Sequence, residues 1–305
     1  MQNAPLRYVP ALSRFLHYNL HVTQRSPGPS RPVSPEVAEL TRIRNEQPDL
    51  APAVDLQLDL LGLHRRVQGR VPLPSLRLDP GEVREATLAG RPLLRFDLIP
   101  FEYSDVRYLI RETAAAMRRH DSLDEPDFKH ADALARDPAP LDPILERWFN
   151  GNAVRTEAQR QVKALPPALE YVLTHAMRPF LVRCAEAMLA SADLSAWNAP
   201  YCPVCGSEPD FSTITPNAER HLICSRCTAR WKFDPLACPY CSNADRKRIT
   251  SFASRDGAYR IYGCDVCKRY LKAYDGRRAS RPVMVTVDSV ATIPLDAAAV
   301  QRGYR

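Results

Sequence analysis

The sequence predicts a multi-domain α+β protein, with a mainly α N-terminal region followed by two small β domains of the rubredoxin-like or zinc-ribbon type. Two observations predict it. Eight of nine cysteines fall in four Cys-x-x-Cys pairs after residue 200, and apolar residues at helical spacing fill the stretches before them. The expected organisation is a helical domain over 1–197, a first four-cysteine ribbon over 198–235, a second over 236–281, and a tail over 282–305 that packs on the body.

In the N-terminal region, residues 24–35 (QRSPGPSRPVSP) read as an extended linker, because proline denies the chain helical hydrogen bonds. From Pro35 to His64 the pattern is helical: Val37, Leu40 and Ile43 recur, followed by Val54, Leu56, Leu58, Leu60 and Leu61. Pro80-Gly81 reads as a turn. Residues 102–120 form a helix with Val106, Leu109, Ile110 and Ala114 on one face. The clearest helix covers 168–190, where Leu169, Val172, Leu173, Ala176, Met177, Phe180, Leu181, Cys184 and Met188 make one wide apolar stripe. Pro179 inside it is expected to kink it. Cys184, on that stripe, reads as a buried small hydrophobe.

The four pairs are Cys202/Cys205, Cys224/Cys227, Cys238/Cys241 and Cys264/Cys267. Two intervening residues let one tight turn aim both sulfurs at a single ion, and two such turns close a tetrahedral shell. The gaps between pairs are 18, 10 and 22 residues. The longer ones suit a hairpin out and back. Phe211–Ile214 and Arg220–Ile223 read as one hairpin, and Ile249–Phe252 and Tyr259–Tyr262, joined by Asp256-Gly257, as the other. The first two pairs are therefore expected to share one metal and the last two a second, interleaved pairing being the alternative. Gly206, just after the first pair, suits a backbone turn that presents amides to the sulfurs. Four thiolates suit either iron or zinc, so ligand type leaves the metal open. His221 lies near Cys224, but both shells are already full, and it reads as a strand residue.

Composition narrows the function classes. The longest apolar runs fall short of the ~18–20 residues that span a bilayer, so no membrane role is expected. Arginine and histidine interrupt the N-terminal apolar stretches, which predicts a soluble, cytoplasmic protein. Paired cysteines in such a chain favour metal over disulfides. Between Pro200 and Arg281 lie 15 lysines and arginines against 8 acidic residues, which accounts for the whole net charge of +7. That surface suits an acidic partner or nucleic acid, or merely offsets thiolate charge. Phosphate-loop, nucleophile-elbow and His-Glu-x-x-His patterns do not occur, and closed thiolate shells leave no open coordination position, so no enzyme is expected.

The motifs YCPVCGSEP (Tyr201–Pro209), RHLICSRCTARWKF (Arg220–Phe233), CPYCSN (Cys238–Asn243), YGCDVCKRYLKAYD (Tyr262–Asp275) and VDSVATIPLDAAAVQRGY (Val287–Tyr304) resemble the formate dehydrogenase accessory proteins of the FdhE type. The resemblance implies a non-catalytic maturation factor that binds the catalytic subunit of formate dehydrogenase in the cytoplasm, with rubredoxin-like thiolate sites able to hold iron. Two alternatives stand beside it. One is a zinc-ribbon nucleic-acid binder using Trp231, Phe233, Tyr259, Tyr262 and Tyr270 for stacking, for which only weak, non-specific binding is expected. The other is a rubredoxin-like electron carrier.

Overall fold

The computed structural model describes residues 33–74, 78–151, 165–279 and 281–305; the expected linker lies mostly outside them. Pro35–Arg305 makes one compact unit, whose described residues form seven helices, a six-stranded sheet and two short helices after it.

The helical pattern from Pro35 to His64 resolves into α1 (Pro35–Glu46) and α2 (Ala51–Gln68). The break falls at Gln47, whose φ of −132° and ψ of 78° are the non-helical angles that a following proline, here Pro48, enforces. The expected turn at Pro80-Gly81 is instead the start of α3 (Pro80–Leu88). The Asp79 carboxylate accepts from the Gly81 and Glu82 amides as an N-cap, and Pro80 occupies the first turn, where its missing N–H is no loss. α4 (Tyr103–Arg119) buries Val106, Leu109, Ile110, Ala114 and Met117 along one face. α5 (Glu125–Arg136), capped by Asp124, and α6 (Asp142–Gly151) follow. α7 (Pro167–Leu189) is the central helix; it carries Pro179 in its interior and buries residues on most of its surface, Cys184 among them.

The ribbons contribute β1 (Pro209–Ile214), β2 (Arg220–Cys224), β3 (Arg230–Phe233), β4 (Ile249–Ala253), β5 (Tyr259–Cys264) and β6 (Tyr270–Asp275). Their order is β3-β2-β1-β6-β5-β4. Each ribbon is a three-stranded antiparallel unit, and the two join through a parallel pairing of β1 with β6, Phe211 opposite Lys272 and Ile214 opposite Asp275. The two ribbons thus share one sheet. Hairpin turn signals announce only local pairings, so this junction between strands about 60 residues apart carries no mark in the sequence.

The largest core cluster runs without a break from α2, α4, α6 and α7 into the first ribbon, where it takes in Cys202, Cys205, Cys224, Cys227, Leu222 and Trp231. After the sheet, α8 (Val285–Ala291) sends Val287 and Val290 against Leu40, Ile43 and Val54 of α1 and α2. α9 (Ile293–Gln301) and Tyr304 pack on Ile261 of the second ribbon. Among the described residues, no helix is long and apolar enough to cross a membrane.

Candidate metal centres

Four turns built alike carry the cysteines. In each, the amide of the first cysteine donates to the carbonyl five residues on: Cys202 to Ser207, Cys224 to Ala229, Cys238 to Asn243 and Cys264 to Arg269, at 2.8–2.9 Å. In each, the residue after the second cysteine has positive φ: Gly206 at 75°, Thr228 at 59°, Ser242 at 58° and Lys268 at 60°. Only one of the four is glycine, so glycine spotting finds the first turn and misses the others. The left-handed residue lets the chain double back after the second sulfur, and the amides inside the turn face the first. Those of Arg226 and Cys227 reach the Cys224 sulfur at 3.4 and 3.5 Å.

The sulfurs gather in chain order. Cys202, Cys205, Cys224 and Cys227 form one group and Cys238, Cys241, Cys264 and Cys267 the other, with all sulfurs of a group within 4.8 Å of one another. Within the first group, Cys202–Cys227, Cys205–Cys224 and Cys205–Cys227 stand 3.5, 3.4 and 3.6 Å apart. In the second, Cys238–Cys267 and Cys241–Cys264 stand 3.8 and 3.6 Å apart. These spacings are far beyond a disulfide bond of roughly 2.05 Å. They match the edge of a tetrahedron of sulfurs around an ion at about 2.3 Å, which is roughly 3.8 Å. Each group can hold one metal ion, two per chain.

Electrostatics gives the same reading. Burial pushes the Cys202 and Cys227 thiols well up, while hydrogen bonds from Cys202, Cys224 and Cys227 hold Cys205 down. Four packed sulfurs without a cation cannot all ionise; a divalent ion removes that conflict. Cys184, on α7 near this group, is different. Burial, with a smaller push from Cys205, raises its thiol to about 12, so it stays protonated and apolar in character. His221 lies on β2, opposite Thr213 and Lys232.

The two groups sit in unlike surroundings. All four cysteines of the first are buried, and the helical body grips their turns. The Leu93 and Leu94 amides donate to the Pro203 and Val204 carbonyls at 2.9 Å, inside the first turn. Arg178 of α7 donates to the Ser225 carbonyl at 2.7 Å. Arg226, 2% exposed, reaches from the second turn to the Trp148 and Phe149 carbonyls of α6. In the second group, Cys238 and Cys264 are buried while Cys241 and Cys267 reach the surface. Its supports are other parts of the sheet and the tail. The Tyr240 hydroxyl donates to the Pro209 carbonyl, Arg269 lies 3.6 Å over the Tyr240 ring and pairs with Glu208, and the Arg305 amide donates to the Lys268 carbonyl. Cysteine spacing locates both groups; the bonds that Arg226 sends from the second turn to α6, and Arg178 from α7 to that turn, have no sequence signature.

Residues 201–234, the first group, match the family model described as FdhE, central domain. The chain is 29% identical over 141 residues to a Protein FdhE homolog from Aquifex aeolicus (strain VF5), covering 45% of this chain and 49% of that protein. It is 32% identical over 107 residues to Protein FdhE from Escherichia coli O157:H7 (strain EC4115 / EHEC), covering 34% of each. The chain therefore spans a third to a half of the length of these curated relatives. The crystal structure of the FdhE protein from Pseudomonas aeruginosa shares the fold, with a TM-score of 0.59 over 88% of this chain and 91% of that one, at 20% identity. The chain thus carries a match to the FdhE central domain around its first cysteine group, is similar in part of its length to curated FdhE proteins, and shares the fold of one of them.

Proposed function

We propose that this protein is a non-catalytic accessory factor that binds the catalytic subunit of formate dehydrogenase in the cytoplasm and is needed for that enzyme's activity. The observation that carries the reading is the FdhE central domain at residues 201–234, folded around the first cysteine group. The geometry agrees with a binding role. Four sulfurs close each shell, and the surrounding side chains fasten the sheet to the helices. In the first centre, Cys202, Cys205, Cys224 and Cys227 would hold an ion that locks the first ribbon to α6 and α7. In the second, Cys238, Cys241, Cys264 and Cys267 would hold an ion close to solvent. Zinc there would supply only cross-linking, whereas iron would add a one-electron change.

The test is a strain that lacks the gene and a paralogue. Respiratory formate oxidation should disappear while the transcript of the catalytic subunit is unchanged, and the tagged protein should co-purify with that subunit from anaerobically grown cells. Normal formate oxidation in such a strain removes the reading.

A further inference from the structure

Many basic side chains of the ribbons are held in ion pairs. Arg260 and Arg277 pair with Asp275, Arg269 with Glu208, Lys272 with Asp296, Lys268 with Asp265 and Lys232 with Glu219. Arg246, Lys247, Arg248 and Arg255 are exposed and make no ion pair with the described residues. They flank β4, three before its first residue and one after its last. The neighbouring carboxylates are engaged in turns: Asp245 accepts from the Lys247 amide, and Asp256 from the Ser254 hydroxyl and the Ala258 amide.

β4 is also an open edge of the sheet. The Ser254 amide donates to the Tyr259 carbonyl and the Asp265 amide to the Arg248 carbonyl, both at 2.9 Å. Antiparallel alternation from these points turns the amides and carbonyls of Ser251 and Ala253 away from β5. No described group bonds them. The combination is a short strand with one open edge and cations at both ends.

We propose that this edge is a docking site for an extended, acid-flanked segment of a partner polypeptide, which adds to β4 as a seventh strand. Main-chain bonds at Ser251 and Ala253 would hold it, and its acidic ends would meet Arg246–Arg248 and Arg255. A second copy of the same edge would bring like charges together, which opposes self-pairing. Residues 1–32 carry four arginines and no acidic residue, so charge selects against them as well. The proposal does not depend on who the partner is, so it can fail while the accessory role stands.

The test uses the full-length metal-loaded protein and a fluorescent peptide, Glu-Glu-Val-Thr-Val-Thr-Val-Glu-Glu. Binding is followed by anisotropy, and the Ser251 and Ala253 amides by hydrogen exchange. Expected are saturable binding, slowed exchange at both amides, and at least tenfold weaker binding for the R246E/K247E/R248E variant. A peptide N-methylated at alternate residues keeps the charge but cannot pair, and should also bind at least tenfold more weakly. Equal binding of the methylated peptide overturns strand addition. So does slow exchange at Ser251 and Ala253 in the free protein, which would mean that the chain already covers this edge. Tighter binding of a twelve-nucleotide single-stranded DNA at physiological salt overturns the choice of a peptide partner.

Discussion

The guanidinium of Arg226 lies 3.9 Å over the Trp148 ring and donates to the Trp148 and Phe149 carbonyls at 2.8 and 3.1 Å. Those carbonyls belong to the last described turn of α6. One side chain from the Cys224–Cys227 turn therefore bonds two main-chain carbonyls of a helix, stacks on its tryptophan and carries a buried positive charge toward the cysteine sulfurs. Burial lowers its pKa, and the nearby Cys205 and Glu170 act in the opposite direction. Arg226→Ala removes both bonds and a buried charged side chain and should cost about 3–5 kcal/mol. Arg226→Lys keeps the charge without the planar fork and should lose less. Denaturant unfolding of the metal-loaded protein measures both; wild-type stability for Arg226→Ala would show the contact to be dispensable.

The contrast in burial sets an order of metal loss. We expect two ions per chain by elemental analysis. Under a strong chelator, the second centre should empty first, because Cys241 and Cys267 are open to attack while the first group is enclosed. Replacing Cys205 and Cys227 with serine should remove one ion and leave the other. Residues 202–233 should lose amide protection in that variant, since metal affinity in such ribbons is folding energy. Equal loss from both centres would mean that the shared sheet folds as one unit around both ions.

Thr228 is β-branched yet sits at a φ of 59°. That conformation is strained for its side chain and free for glycine. Thr228→Gly should raise stability by about 1 kcal/mol, while Gly206→Ala, at a φ of 75°, should lower it by a similar amount. Thermal melts of the metal-loaded variants decide this. Opposite signs at two matched positions would be hard to obtain from any cause other than the backbone.

The cysteine turns and the four hairpin strands were legible because each is a local event: two sulfurs on one turn, or two short strands joined by a nearby corner such as Asp256-Gly257. The expected strands at 211–214, 220–223, 249–252 and 259–262 all lie within β1, β2, β4 and β5. β3 and β6 lack such a mark, because each follows a cysteine turn and Lys232 and Lys272 interrupt its apolar residues. Pro80-Gly81 misled for a physical reason: the residue before it is an aspartate, which converts a turn signal into a capped helix start. The β1–β6 pairing and the grip of Arg226 and Arg178 on the first centre join distant segments, and single-sequence patterns carry no record of such pairs.

Acid should weaken the helical body through a buried histidine pair. His64 bonds the His175 carbonyl at 2.9 Å, and the two rings stack at 6.2 Å. Burial, with Arg178 nearby, lowers His64 to about 4 and holds His175 well below its ordinary value. A depressed histidine stays neutral when folded while the unfolded chain takes up protons. Stability is therefore complete above about pH 6.5 and falls as pH drops toward 4, by about 3 kcal/mol for His64 alone. His64→Gln keeps a donor for the carbonyl and should flatten that slope. Because both proteins keep all their cysteines, the difference between their urea midpoints from pH 7 to pH 4.5 isolates the histidine. Parallel profiles would contradict it.

Gly263 precedes Cys264 and supports the C-terminus by having no side chain. A Cβ there would stand 2.5 Å from Cζ of Tyr304, closer than real atoms approach. The Tyr304 ring is 6% exposed, and its hydroxyl donates to Asp265 at 3.0 Å, inside the Cys264–Cys267 turn. The next residue adds a main-chain bond, from the Arg305 amide to the Lys268 carbonyl at 2.7 Å. Gly263→Ala should therefore expel the ring and free the tail from the second centre, at a cost of about 1–3 kcal/mol. The same tail screens this turn, so the substitution should also speed metal loss to a chelator from the second centre and leave the first unchanged. Tyr304→Ala should speed it as well. Combined with Tyr304→Ala, Gly263→Ala should cost almost nothing, because the clash has been removed in advance. That coupling is the discriminating measurement. If Gly263→Ala destabilises the protein equally with and without the tyrosine, the glycine serves the β5 backbone, and the tail is not the guard of the second centre.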